Sequence, residues 1–172
     1  IVLSNGNFNA ATIQAQTVMN TVNEKDSVLA IMPIFHGFGL SVSINDVLSF
    51  GAKVILIPTF KASEFDKLLT KYKPSVLVGV PTLFDALTTN ENLKDVNLSH
   101  IKYVVSGGDT LNKARITKIN EFLHEHGANA NVLQGYGMTE AVAAVCLDQP
   151  IASRPGTIGI PFPSNYIKIV KP

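Results

Sequence analysis

The chain has 172 residues, of which 46% are hydrophobic and 16% charged, so it carries enough apolar material for one real core and is not a disordered polyelectrolyte. Lysine plus arginine number 14 against 13 aspartates and glutamates, giving a formal net charge of +1 with no basic stripe suited to nucleic acid or an anionic membrane surface. A small-molecule partner fits this balance better. The single cysteine, Cys146, excludes an internal disulfide and, lying in the apolar run 141–147, fits a buried structural thiol in a reducing, cytoplasmic setting. The longest apolar stretch, 28–40, is interrupted by Pro33, His36 and two glycines and cannot serve as a membrane span. The chain begins at Ile1 without a methionine and reads as a fragment.

Residues 1–4 read as an extended entry, followed by a helix start over 5–7. From there Phe8, Ala11, Ala15, Met19 and Val22 recur at helical spacing, which predicts an amphipathic helix to about Val22. The compact apolar run 27–32, closed by Pro33, predicts a strand buried on both faces. Residues 37–50 carry Phe38, Leu40, Val42, Ile44, Val47 and Leu48 on most sides, predicting a buried helix stopped at Gly51. A second core strand is expected over 53–57. Ser63 with Asp66 three residues on has capping spacing for a helix that turns Phe65, Leu68, Leu69 and Tyr72 inward.

Pro74 ends that helix, and 76–80 reads as a third strand. Thr82 and Asp85 repeat the cap spacing for a short helix through Leu87, after which the polar stretch 88–99 predicts a surface loop with a brief turn. A fourth strand over 101–105 runs into Ser106-Gly107-Gly108. The next helix places Leu111, Ile116, Ile119, Phe122 and Leu123 inward and stops at Gly127. Residues 131–134 form a fifth strand. In 157–170, Tyr166, Lys168 and Val170 alternate against Ile167 and Ile169, predicting strands of a neighbouring sheet or barrel.

Strands alternating with helices at short spacing imply an α/β fold: three layers, with a mostly parallel sheet and helices on both faces. Two units are expected, an α/β subdomain over 1–150 and the start of a β subdomain over 151–172. Ligands of such sheets bind beyond the carboxyl ends of the strands. The loops after Met32, Val80, Val105 and Gln134 all leave such ends, so they can converge on one site.

The richest of these segments is Gln134-Gly135-Tyr136-Gly137-Met138-Thr139-Glu140. Its glycines admit close approach of a ligand, Tyr136 offers a flat stacking face, Thr139 a hydroxyl for a phosphate oxygen, and Glu140 the hard oxygen that Mg²⁺ favours. The same residues are also compatible with a glycine-rich turn in which Thr139 caps a helix and Glu140 favours the positive end of its dipole. Likewise His36 is either a helix-start histidine satisfied by backbone or a ligand-facing group, and Gly107-Gly108 either an ordinary βα turn or a nucleotide-side loop. Ser106 is not in a nucleophile elbow, and Gly135-Tyr136-Gly137 lacks the third glycine of a dinucleotide fingerprint, so a hydrolase and a dehydrogenase both fit poorly.

The segment 134–140 closely resembles the adenylate-binding signature Tyr-Gly-x-Thr-Glu of the ANL superfamily, which includes acyl-CoA synthetases, adenylation domains and luciferases. Ile31-Met32-Pro33-Ile34-Phe35-His36-Gly37-Phe38-Gly39-Leu40 is similar to its Pro-x-Phe-His-x-x-Gly segment. Ser106-Gly107-Gly108-Asp109-Thr110-Leu111 resembles its adenine-side loop, and Pro155-Gly156-Thr157-Ile158-Gly159-Ile160-Pro161 its following Pro-Gly-x-x-Gly-x-Pro run. The four motifs occur in the family's order and span almost the whole chain.

The resemblance implies a two-step reaction in which a carboxylate attacks the α-phosphate of ATP, releasing pyrophosphate, and a thiol, usually coenzyme A, then displaces AMP. By the same resemblance Tyr136 stacks on adenosine, Thr139 binds the α-phosphate, Glu140 holds Mg²⁺ and His36 borders the acyl substrate. Gly107, Gly108 and Asp109 lie on the adenine side, Asp109 or Thr110 caps the next helix, and Gln134, Gly135, Gly137 and Met138 complete the nucleotide site. Phe35, Phe38, Gly108, Gly137, Met138 and Val142 are implied for the acyl wall. The acid that amino-acid-activating members use at the His36 segment is missing, which implies an uncharged acyl group. The family's phosphate loop would precede Ile1, while its ribose-binding aspartate and mobile lysine domain would follow Pro172. The expectation is therefore the central part of a large N-terminal domain, inactive alone. Another adenylate-forming enzyme, acting on an amino acid or aryl acid, a noncatalytic nucleotide-binding module and a purely structural domain are the competing readings.

Overall fold

The computed structural model describes residues 1–150 and 153–171. Ser4 opens α1 (Asn5–Val18) through a reciprocal cap, its hydroxyl accepting from the Asn7 amide while the Asn7 side chain accepts from the Ser4 amide. The helix thus starts at the residues that read as its start and ends four short of Val22, which is buried in the turn that follows. β1 (Ser27–Ala30) leads to a wide, π-type turn over Phe38–Asn45 that passes directly into α2 (Asp46–Ser49). β2 (Lys53–Leu56), α3 (Phe65–Tyr72), β3 (Val76–Gly79), α4 (Pro81–Thr89), β4 (Tyr103–Ser106) and α5 (Lys113–Glu125) complete the alternating portion. β5 (Val132–Gly137), β6 (Ala144–Leu147) and the two-residue β7 (Ile160–Pro161) close the chain.

The strands form one seven-stranded sheet in the order β2-β1-β3-β4-β5-β6-β7. β1 to β5 pair in parallel, whereas β5 with β6 and β6 with β7 are antiparallel. The expected mostly parallel, helix-covered sheet is therefore present, with an antiparallel edge.

Its layering follows from the pleat. Successive residues of a strand face opposite sides, so Leu29, Leu77, Val104 and Val132 join Phe65, Phe84, Ile119 and Leu123 of α3, α4 and α5 in one core. Val28, Val76, Val78, Val105 and Leu133 join Ala15 and Val47 of α1 and α2 in the other. Leu93 and Leu98 are fully buried in the first core, so the polar stretch 88–99 is pinned to the molecule at two points instead of looping free.

Several local expectations are corrected. A short 3-10 turn, Ala62–Glu64, precedes α3, and Ser63 makes no capping hydrogen bond to it. α4 begins at Pro81, whose fixed φ and missing N–H suit the first helical position, so Thr82 is not its cap. The cap of α5 is Asn112, which accepts from the Arg115 amide, in place of Asp109 or Thr110. β5 is longer than 131–134, and β6 was concealed inside an apolar run. Of the strands expected over 157–170, only Ile160–Pro161 forms. Tyr166 and Ile169 are almost fully exposed, so their alternation has no sheet to bury one side. The boundary expected between 150 and 151 falls at residues 151–152, outside the described residues.

The entrances of β1, β3 and β4 are tied together by Asp26, whose side chain is wholly buried. It accepts from Lys102 Nζ at 2.7 Å and from the Asn23 amide at 3.1 Å, while Ser75 accepts from the Ser27 amide and donates its own amide to the Ser27 carbonyl. Burial pushes the Asp26 carboxyl up, but Lys102, Ser75 and the Asn23 amide outweigh it and hold it below the ordinary carboxylate range. A depressed folded pKa contributes stability that is present above the unfolded value and lost as pH falls through the folded one. Asp26→Asn is expected to cost about 2 kcal/mol at neutral pH in urea unfolding, with the gap to wild type narrowing on acidification below about pH 4; a gap independent of pH would sink this account.

Candidate functional site

The carboxyl ends of β1, β4 and β5 open on the same edge of the sheet. β1 continues into the segment that carries His36, β4 into Gly107-Gly108, and β5 runs on through Gly135-Tyr136-Gly137. The segment read as a turn is thus the last half of a strand. Its Gly135 and Tyr136 pair with Leu147 and Cys146 of β6, and the register shifts between Tyr136 and Gly137. A 3-10 turn, Thr139–Ala141, follows and reverses the chain into β6.

That reversal is tight. Val142 has φ +72° and ψ −60°, and the Ala143 amide donates to the Ala141 carbonyl at 2.9 Å, so residues 141–143 form a three-residue turn. Positive φ is a strained state for a β-branched residue and persists only where the surroundings impose it. They do so here: Val142 is 3% exposed, and the Met138 amide donates to the Ala143 carbonyl at 2.8 Å across the base of the loop. Two glycines allow the chains to approach. A Cβ on Gly137 would overlap the Ala143 carbonyl, and one on Gly37 would lie 2.5 Å from the Val142 oxygen. The His36 segment and the Thr139 turn are therefore in backbone contact.

Beneath this edge lies a cavity of about 250 Å³. His36, Gly107, Gly108, Gly135, Tyr136, Gly137, Met138 and Thr139 line it, and it continues between the sheet and the α1/α2 layer past Phe38, Val42, Val47 and Phe50 to Ala15 and Met19. Of the expected acyl-wall residues, Phe38, Gly108, Gly137, Met138 and Val142 line it, whereas Phe35 is 92% exposed and does not. The remaining site candidates stand apart from the cavity wall. Gln134 is buried, faces the α3–α5 core by its place in the pleat, and leaves its side-chain oxygen without a partner. Asp109 is exposed and accepts from the Thr110 amide, and Glu140 is exposed on the Thr139 turn.

His36 is exposed at the mouth, its Nδ1 accepting from the Phe38 amide at 3.1 Å. Burial pushes the Cys146 thiol up, which keeps it protonated and suits a structural thiol. Among the described residues no three His, Cys, Asp or Glu side chains cluster to hold a metal. Glu140 offers one carboxylate, which fits Mg²⁺ arriving with phosphate oxygens and water as its other ligands.

One lining residue escaped the sequence reading. Asp46, 5% exposed, lines the cavity and accepts from Thr12 Oγ1 at 2.6 Å. Residues 37–50 look like a plain buried helix, which hid it. The available signal was that Asp46 is the sole Asp, Glu, Lys or Arg from Val28 to Ala52.

A doubly wound α/β sheet whose strand ends gather an aromatic, a threonine and glycine-bared backbone over an apolar cavity has the form of a small-molecule site at a carboxyl sheet edge. The AMP-binding enzyme family matches residues 1–172, and the chain belongs to that family. It is 34% identical over 178 residues to a long-chain-fatty-acid–CoA ligase of Haemophilus influenzae, covering 99% of this chain and 30% of that protein. A luciferin 4-monooxygenase of Photuris pensylvanica is 32% identical, over 91% of this chain and 28% of that protein. The ATP-bound crystal structure of MatB from Rhodopseudomonas palustris superposes with a TM-score of 0.80 at 25% identity, over 94% of this chain and 30% of that one. The chain thus spans about 30% of the length of the curated relatives it matches.

Two outcomes test this geometry. Gly137→Ala forces a methyl into the Ala143 carbonyl and is expected to cost about 2–3 kcal/mol in chemical unfolding; a change under about 0.5 kcal/mol would contradict the close approach. Burial raises the Asp46 carboxyl from the usual 3.8 to about 6, against the lowering effect of the Thr12 and Ser41 hydroxyls. With the folded pKa above the unfolded one, stability declines as pH rises from about 4 to 6, by about 3 kcal/mol in all. Unfolding curves of Asp46→Asn should lack that decline.

Proposed function

We propose that this chain is the adenylate-binding part of an ATP-dependent acyl-CoA ligase, which joins a carboxylic acid to AMP and then passes the acyl group to the thiol of coenzyme A. The observation that carries the proposal is the junction of β5 with the cavity, where Tyr136 and Thr139 stand at the mouth of an apolar channel beside His36. A nucleotide at the mouth and an acyl chain in the channel would meet at Thr139.

In this reading the protein positions its substrates and stabilises charge. Tyr136, 39% exposed, stacks on the adenosine, with Gly107 and Gly108 on the wall of the same cavity and Asp109 next to them in the chain. The Thr139 hydroxyl donates to the α-phosphate, whose negative charge grows as the carboxylate oxygen attacks and pyrophosphate leaves. His36 sits where the carboxylate enters, and its ring is oriented by the Phe38 amide. Glu140 is the residue that would hold Mg²⁺, which when bound neutralises phosphate charge. The apolar walls of Phe38, Val42 and Val142 exclude water from the reacting carbonyl. Cytoplasmic location and division into an α/β unit over 1–150 with a β unit beginning at 151 belong to the same proposal. Among the described residues no helix is long and apolar enough to cross a membrane.

The chain alone is expected to bind an adenylate without turning it over, because phosphoryl chemistry needs several cationic groups and among the described residues no lysine or arginine lines the cavity. Calorimetric titration with a nonhydrolysable acyl-adenylate mimic should show binding that Tyr136→Ala weakens about tenfold through the lost stacking face. Pyrophosphate release should stay at background. Equal binding by the folded mutant would remove Tyr136 from the site, and measurable turnover would overturn the expected inactivity.

A further inference from the structure

The wall of the apolar cavity carries a buried carboxyl group. Asp46 stands where the π-type turn over Phe38–Asn45 passes into α2, and it lines the cavity beside Val42, Val47 and Phe50. Thr12 of α1 donates to its Oδ1 at 2.6 Å and accepts in turn from Asn45 Nδ2 at 2.7 Å, with the Ser41 hydroxyl also within reach. A carboxylate offers about four acceptor positions, so these contacts leave acceptor capacity unused. The other titratable groups on the cavity wall are His36, Tyr136 and Cys146, and no lysine or arginine lines it among the described residues.

A buried acid in an apolar wall costs free energy unless its acceptor positions are filled, and the Thr12 and Ser41 hydroxyls fill only part of them. A ligand that brings a further donor would complete the set. We propose that Asp46 sets the substrate class of this site: the cavity takes a carboxylic acid whose apolar stem ends in a hydrogen-bond donor, a hydroxyl or an ammonium group, that pairs with the Asp46 carboxylate. The proposal rests on reading the cavity as the acyl site. A methyl-ended acid would leave the unused acceptor positions of Asp46 unfilled, whereas a donor-ended one adds a charge-assisted bond. Such a bond is worth about tenfold or more in affinity.

The test is calorimetric titration of the 172-residue chain with three carboxylic acids of equal chain length, ending in methyl, hydroxyl or ammonium, alongside the adenylate mimic. Wild type should bind a donor-ended acid about tenfold tighter than the methyl-ended one, and whichever arm wins names the donor. Asp46→Leu should reverse the order in favour of methyl. Asp46→Asn, which keeps an acceptor oxygen and the shape, should retain hydroxyl binding and lose ammonium binding. If Asp46 serves only to tie α1 to α2, its substitution will shift all three affinities together, and unchanged ratios would overturn the proposal. Binding of the mimic with no preference among the acids overturns it as well, while failure of a folded chain to bind either mimic or acids overturns the adenylate reading itself.

Discussion

A parallel sheet has to bury both of its faces, and everything else in this molecule follows from that constraint. β1, β3 and β4 have almost no polar residue on either side, so α3, α4 and α5 cover one face and α1 with α2 cover the other. The helices seal the faces, and the amino ends are laced by Asp26, Ser75 and Lys102. What remains for a ligand is the carboxyl edge. The active-site candidates are there because the packing leaves that edge open.

The edge acquires its particular shape where the sheet changes direction. β5 enters parallel to β4 and leaves paired antiparallel to β6, and the reversal is made in a strained turn at Val142. That strain is held by burial of the valine and by the Met138–Ala143 hydrogen bond. The result is that Thr139 faces a cavity whose opposite wall is the His36 segment. A relaxed, longer loop would separate the two, so local strain holds these walls of the cavity together.

The channel beneath adds a contrast. Its walls are apolar, yet Asp46 interrupts them. The absence of an acid beside His36 implied an uncharged acyl group, and the structure shows that an acid does reach the same cavity from ten residues further along, on another helical turn. Spacing from the signature motif does not measure depth in the channel, because the π-type turn over Phe38–Asn45 changes which residues face inward.

The sequence by itself determined the fold class and many of the residues that gather at the cavity. Apolar runs ended by Pro33, Pro58 and Pro74 mark strand and helix ends through a local rule, the missing proline N–H, and the four motifs in order carry the family. Gly107, Gly108, Tyr136, Gly137 and Thr139 gather at the cavity, as residues at or just beyond the carboxyl ends of parallel strands do. The tertiary structure alone decided the rest. Gly135–Gly137 became strand because β6 offered a partner, and no residue in either segment announces its partner's register. Gln134 turned to the opposite core because strand pleat, once the strand lengthens, fixes its side. Tyr166 and Ile169 alternate like a strand and form none, since alternation stabilises a strand only where a sheet is present to bury one face. Asp46 met Thr12 from 34 residues away. Sequence specifies what each segment prefers locally; which preferences are honoured depends on contacts between segments remote in the chain, and those exist only once it has folded.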